Sequence, residues 1–216
     1  MMIAELVVVV VIAYLLGSIP FGLIIGKLKS GVDIREYGSG KTGATNVMRT
    51  IGTKLGILTL VLDVVKATGA VMLATVIIDG SSGILTIGGV SVYWQHIAQV
   101  AAGLAAIAGH NWPVFAKFKG GRGVTAYFGT LFAIFPPAGI LGAEVVAIAA
   151  LRSRHMSLGS ILGALAAWCL MVPLTLAYDL LPPIYLVYGL VVIALLVYQH
   201  QDNIKRLRQG TERQLW

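Results

Sequence analysis

Charge is scarce in this 216-residue chain and acidic charge scarcest, with 9 Asp and Glu against 16 Lys and Arg and a charged share of only 12%. With 57% hydrophobic residues and a mean hydropathy of +0.87, the composition excludes an ordinary soluble domain and describes a polytopic membrane protein. One cysteine, Cys169, excludes an intramolecular disulfide and leaves the redox compartment unread. The four histidines are scattered, no HExxH exists and the carboxylates do not cluster, so neither a metal cage nor a cofactor is expected. An HxxxxD acyltransferase pair is missing too, because the residues five after His96, His110, His155 and His200 are Ala101, Phe115, Ser160 and Lys205. Positive charge is also missing ahead of Lys27, which argues against a cleaved signal peptide, so the first apolar run is expected to be a span.

What the chain has is a series of apolar runs, each near the 20 or so residues that cross a bilayer. Span one is read from Ile3 to Leu28, with Gly17, Ser18 and Pro20 as kink points. Span two covers Leu55 to Ile78 and carries Asp63 and Lys66 on one helix face, read as a structural ion pair. A short Gly/Ser loop over Asp79 to Ser91 leads to span three, Val92 to Gly109. Val124 to Leu151 is broken at Pro136-Pro137 and flanked on both sides by cations, so two short crossings or a re-entrant pair are expected there. Leu158 to Tyr178 and Ile184 to Gln199 complete the count. The expected fold class is an all-α integral membrane protein, a seven-transmembrane-helix bundle with two short central helices. Residues 1–216 then form a single polytopic membrane domain. With seven crossings every Lys and Arg except Lys66 falls on one side, whereas Glu5, Asp79 and Asp179 fall on the other. The positive-inside rule therefore puts the N-terminus outside and the basic C-terminal tail in the cytoplasm. A net charge of +7 concentrated on that face suits anionic lipid headgroups or phosphorylated substrates.

Two polar islands and the tail share this face. The first, GSGKTGATNVMR from Gly38 to Arg49, combines three glycines, four small hydroxyl or amide side chains and two cations, a mixture that suits an anion. A nucleotide P-loop is rejected by spacing, because the glycine required five residues before Gly40 is Arg35. A plain connecting loop remains the bland alternative. The second island, HNWPVFAKFKGGRG from His110 to Gly123, ends in GGRG just before a helical run, placing free N–H groups beside a cation. In the tail, His200 and Asn203 stand one helical turn apart. Anion sites at a bilayer surface suggest lipid phosphate chemistry. A carrier of a phosphorylated solute is the competing class, but only Asp63 and Lys66 lie at the depth where carriers place their sites. A non-catalytic lipid scaffold would not need Ser39, Arg49, His200 and Asn203 together.

Three ordered segments, GSGKTGATNVMRTIG, GHNWPVFAKFKGGRGV and HQDNIKRLRQGTE, resemble the signature segments of the bacterial acyl-phosphate-dependent glycerol-3-phosphate acyltransferases, the PlsY family. The similarity extends to the DxxK of span two and the RxxxxSLGS stretch from Arg152 to Ser160. It implies a seven-helix enzyme of the bacterial cytoplasmic membrane with its active site on the cytoplasmic side. That enzyme moves a fatty acyl group from acyl phosphate to the 1-hydroxyl of glycerol 3-phosphate, giving lysophosphatidic acid and phosphate. By the same resemblance Ser39, His200 and Asn203 are the catalytic positions. Gly38, Gly40, Thr45, Asn46, Arg49, Lys119, Gly120, Gly121 and Arg122 bind substrate phosphate. The implied partners are the two substrates, membrane lipids and the soluble enzyme that produces acyl phosphate; nucleic acid is not expected. Because acyl phosphate is already activated, direct attack by the substrate hydroxyl is favoured over an acyl-Ser39 intermediate, with His200 or the substrate's phosphate taking the proton. For His200 the bland alternative is a histidine capping the end of span seven. Position 41 is Lys where the family usually has Asn, and position 122 is Arg where Lys is commoner; Arg122 keeps the charge and adds a bidentate fork.

Overall fold

The computed structural model describes residues 2–81, 83–87 and 90–215. In chain order the helices are α1 (Met2–Gly17), α2 (Phe21–Ser30), α3 (Ala44–Ile51), α4 (Thr53–Ile77), α5 (Trp94–Asn111), α6 (Val124–Ile134), α7 (Pro136–Ser153), α8 (Met156–Leu176), α9 (Pro183–Gln199) and α10 (Gln201–Arg208). Single 3-10 turns sit at Ile34–Glu36 and Val114–Ala116. Among the described residues three segments are long and apolar enough to cross a membrane, namely Met2–Ser30, α4 and α8. A fourth arises if α9 and α10, bent by 61° at His200, count as one broken span.

The all-α expectation needs one correction. Where a Gly/Ser loop was expected over Asp79 to Ser91, strands β1 (Ile84–Ile87) and β2 (Val90–Tyr93) form an antiparallel hairpin, with Leu85 opposite Val92 and Thr86 opposite Ser91. Alternating Ile84, Thr86, Val90 and Val92 have the β-branched character that a pleated ribbon favours, and the reading as a loop overlooked it. Ser82, Gly88 and Gly89 of that stretch lie outside the described residues.

The chain divides into two compact units, Met1–Ala133 and Ile134–Trp216. In the first unit α1, α4 and α5 pack through small side chains, with Ala13, Ala70, Ala74, Ala98, Ala102 and Ala106 all buried. Small residues let helix backbones approach closely, which matters where surrounding lipid is as apolar as leucine and burial alone gives no preference. Tyr14 Oη donates to the carbonyl of Trp112 at 2.8 Å, tying α1 to the start of the second island. The kink residues named from the sequence mark the break between α1 and α2, and Asp63 and Lys66 of α4 form their ion pair at 2.7 Å, both buried.

In the second unit α7 and α8 run antiparallel through a turn at Arg154-His155, and α8 packs on α9. Trp168 of α8 donates its indole N–H to the carbonyl of Leu186 at 3.0 Å. Pro136-Pro137 start α7 instead of ending the run, because proline is well suited to the first turn of a helix, where its missing N–H has no acceptor to lose. The chain then turns at His200 and returns along α10 and the tail, whose Leu215 N–H reaches the carbonyl of Arg154 at 2.9 Å.

Candidate active site

The first glycine island is folded around one carboxamide. Asn46, in the first turn of α3 and 2% exposed, donates from Nδ2 to the carbonyls of Ile34 (2.8 Å), Lys41 (2.9 Å) and Tyr37 (3.2 Å). Its Oδ1 accepts the N–H of Ser39 at 2.8 Å. Gly38, at φ +55°, presses so closely on this amide that a Cβ there would overlap Asn46 Oδ1, so only glycine closes the turn. Ser39 is half-buried, and among the described residues no imidazole or carboxylate hydrogen-bonds its hydroxyl. Arg49 sits exposed in the last turn of α3.

The second island is strained. Lys117 and Phe118 both have positive φ, +54° and +60°, a rare conformation for such side chains and one that concentrates at functional loops. It is held by Phe118 N–H to the carbonyl of Pro113 (2.9 Å) and Lys119 N–H to that of Ala116 (3.2 Å). Gly121 N–H then bonds the carbonyl of His110 at 3.0 Å, and α6 starts immediately after Arg122-Gly123. The half-buried Arg122 thus stands beside the positive end of a helix dipole.

Two contacts join the islands. Thr42 N–H donates to the carbonyl of Gly120 at 3.4 Å, and Arg35 Nη1 donates to the carbonyl of Ala116 at 3.0 Å. Arg35 is itself aligned by Asp33, through Nε to Oδ1 (2.9 Å) and Nη2 to Oδ2 (2.6 Å). Those side-chain hydrogen bonds from Arg35 hold the Asp33 carboxyl down to about 2 against the opposing effect of burial, so this clip is charged at neutral pH. The loop that leads into α3, the helix carrying Arg49, is thus hydrogen-bonded to the loop that carries Arg122.

In the second unit His200 closes α9. Its Nδ1 lies 2.8 Å from the carbonyl of Leu196, and because a carbonyl only accepts, the ring proton sits on Nδ1 and the basic nitrogen of the neutral ring is Nε2. The capping role expected as the bland alternative is therefore present, and it fixes the tautomer of the ring. Asn203 of α10 donates from Nδ2 to Glu212 Oε1 at 2.5 Å, while its Oδ1 is buried without a hydrogen-bond partner among the described residues. Glu212 also accepts from Ser157 Oγ (3.0 Å) and Arg206 Nε (2.8 Å). Burial raises the Glu212 carboxyl, but these three donors outweigh it and the pKa is lowered.

A family model described as Glycerol-3-phosphate acyltransferase matches residues 7–210. The chain belongs to that family. Glycerol-3-phosphate acyltransferase 3 of Dehalococcoides mccartyi is 49% identical over 100% of this chain and 98% of its own length. Glycerol-3-phosphate acyltransferase of Desulforamulus reducens is 37% identical over 95% of this chain and 93% of its own. The crystal structure of PlsY (YgiH), an integral membrane glycerol 3-phosphate acyltransferase, in its glycerol 3-phosphate form, superposes with a TM-score of 0.80 at 37% identity, covering 97% of this chain and 94% of that one. Its lysophosphatidic acid form gives 0.78 over the same shares. The fold is thus that of a mostly helical integral membrane protein.

Within this family frame, the residues expected from the sequence fall into two groups. Ser39, Thr45, Arg49, Lys119 and Arg122 are carried on or beside the joined islands, and His200 and Asn203 at the α9–α10 bend. Gly38, Gly40, Asn46, Gly120 and Gly121 shape the loops. The N–H groups of Ser39, Gly40, Thr42 and Gly121 are already bonded inside the protein, so these four donors are not offered to a ligand. The expectation that free N–H groups in these loops face an anion therefore does not extend to those four positions. Among the described residues no group of three metal-ligating side chains converges. Sequence reasoning missed Asp33, Arg35 and Glu212. Arg35 reaches Ala116 and Glu212 reaches Ser157, partners too distant in sequence for a local pattern to pair.

Proposed function

We propose that the protein is a seven-span enzyme of the bacterial cytoplasmic membrane, N-terminus outside and active site on the cytoplasmic side, with residues 1–216 working as one membrane domain. It transfers a fatty acyl group from acyl phosphate to the 1-hydroxyl of glycerol 3-phosphate. The hydroxyl oxygen bonds to the acyl carbonyl carbon, the bond from that carbon to the phosphate oxygen breaks, and lysophosphatidic acid and phosphate leave. The observation that carries this reading is the join between the first island, with the turn before it, and the second, Thr42 to Gly120 and Arg35 to Ala116, which ties the segment leading into the Arg49 helix to the loop that carries Arg122. Two phosphorylated substrates require several cations, and Arg49, Lys119 and Arg122 supply them. The relatives' name and the glycerol 3-phosphate and lysophosphatidic acid forms of PlsY agree with this acceptor and product.

Acyl phosphate is a mixed anhydride with a good leaving group, so the protein's work is orientation and charge stabilisation. His200, with Nε2 as its basic nitrogen, takes the hydroxyl proton, or the substrate's phosphate does; the proton ends on the phosphate released. Asn203 Oδ1, without a hydrogen-bond partner among the described residues, accepts from the acceptor substrate. Among the described residues no base hydrogen-bonds the Ser39 hydroxyl, which serves as a hydrogen-bond donor and not as a nucleophile. Because the anhydride hydrolyses in water, the donor is received by contact with the soluble enzyme that makes it. Initial-rate kinetics test the scheme. Sequential patterns, no trapped acyl-protein and residual turnover in Ser39→Ala support direct transfer, whereas ping-pong patterns with an acyl-Ser39 adduct overturn it. In the same series Arg49→Ala raises KM for at least one phosphorylated substrate.

A further inference from the structure

Behind the second glycine island lies a buried group that the scheme above does not use. Lys66 Nζ pairs with Asp63 Oδ1 at 2.7 Å and also donates to the carbonyl of Ile19 at 2.7 Å, in the break between α1 and α2. The same carboxylate oxygen faces His110, whose Nδ1 stands 3.6 Å away, beyond hydrogen-bond length but within strong electrostatic reach in a water-excluded site. His110 is 4% exposed and closes the far end of α5, just where the second island begins.

From there the contacts run directly into the loop. The His110 carbonyl accepts Gly121 N–H at 3.0 Å, and its ring occupies the space a side chain at 121 would need. A Cβ on Gly121 would overlap Nε2 and stand 2.7 Å from Cδ2 and 2.9 Å from Cε1 of that ring. An ion pair needed only for folding would be complete with Lys66; the imidazole adds a rigid wedge between the deep charge and the backbone next to Arg122.

We propose that Asp63 and His110 are positioning residues for the second island: Asp63 anchors the imidazole, and the imidazole sets where the Gly121 backbone, and with it Arg122, stands. This rests on the acyl-transfer reading. Neither residue touches substrate; both act through the loop.

The test is acyl transfer by the purified protein with palmitoyl phosphate and glycerol 3-phosphate. His110→Asn keeps an amide N–H near the place of Nδ1 but removes the ring edge against Gly121. KM for a phosphorylated substrate rises by about 10–100-fold while kcat changes far less, the signature of a displaced binding group. Gly121→Ala alone raises KM in the same way, and adding His110→Asn to it restores part of the loss, because the ring that the new methyl meets is gone. Parental KM values in a folded His110→Asn, or additive losses in the double variant, overturn the proposal. His110→Gln replaces the Asn variant if that one does not fold; failure of both to fold beside a fully active Gly121→Ala also overturns it. A parent protein without acyl transfer defeats the functional reading instead. Positioning is then read from glycerol 3-phosphate binding by calorimetry, with weaker binding in His110→Asn expected and equal binding contradicting it.

Discussion

The glycine islands of the first unit and the tail of the second hold their polar groups by different means. Around the islands the restraints are many and mostly neutral: Asn46 alone makes four hydrogen bonds, and backbone bonds run from Thr42 to Gly120 and from Gly121 to His110. In the tail one carboxylate, Glu212, gathers Ser157, Asn203 and Arg206. The neutral bonds of that network are redundant and do not titrate, and its charged clip, Arg35 on Asp33, gives way only well below neutrality. A single ionised hub fails as a unit, and it fails when protonated.

The largest effect expected on this comparison is catalytic and lies in the second unit. His200→Ala lowers kcat by about 10²–10⁴-fold if His200 is the general base. A smaller kcat loss with an altered KM would assign the proton to the substrate's phosphate, and turnover assays at saturating substrate distinguish the two. Next come the buried charges of the first unit. Lys66→Met leaves the Asp63 carboxylate without its cation, at a cost of about 3–5 kcal/mol. The amount of folded protein and its thermal midpoint should both fall, and parental values would show that the pair is not structural.

Smaller again is the loss of the tail hub. Glu212→Ala leaves Asn203 and Ser157 without their acceptor, costing about 1–3 kcal/mol for each buried group left unsatisfied. On the proposed mechanism activity falls with it because Asn203 loses its orientation toward the acceptor substrate, while the hydrogen bonds of the glycine islands are untouched; an unchanged rate in a folded Glu212→Ala would break the contrast drawn above. The pH dependence has a defined sign. The native carboxyl of Glu212 lies below its ordinary value of 4.5, so its contribution is present above that pH and is lost as pH falls through the lowered native value. Asp33 behaves alike, losing its contribution between its ordinary 3.8 and about 2. Thermal melts of the parent and Glu212→Gln should converge at acid pH and separate near neutrality. The smallest perturbation is topological: a cysteine at Asp179 reacts with an impermeant thiol reagent added to intact cells, and one at Gln209 does not. Labelling at Gln209 would contradict the orientation.

Much of this was legible in the residues, and the gaps follow a pattern. Pro20 and Pro136-Pro137 mark helix breaks because proline acts locally, and Asp63 with Lys66 are paired by helix periodicity alone. The hairpin strands Ile84–Ile87 and Val90–Tyr93 are only four residues each and are set among glycine and serine, so the local signal for a loop competes with their β-branched character. Asn46 is visible as a polar residue in a motif, but whether its amide meets a ligand or the loop is a three-dimensional question. The Arg35 clip to Ala116 spans 81 residues, and the Glu212 hub reaches Ser157 across 55. No local rule links such pairs.

The most direct test of the account is acyl transfer itself. Purified protein given palmitoyl phosphate and glycerol 3-phosphate should form lysophosphatidic acid and phosphate in equal amounts. Absence of both products, together with uptake of a phosphorylated solute by proteoliposomes containing the protein, would contradict the enzyme and indicate a carrier.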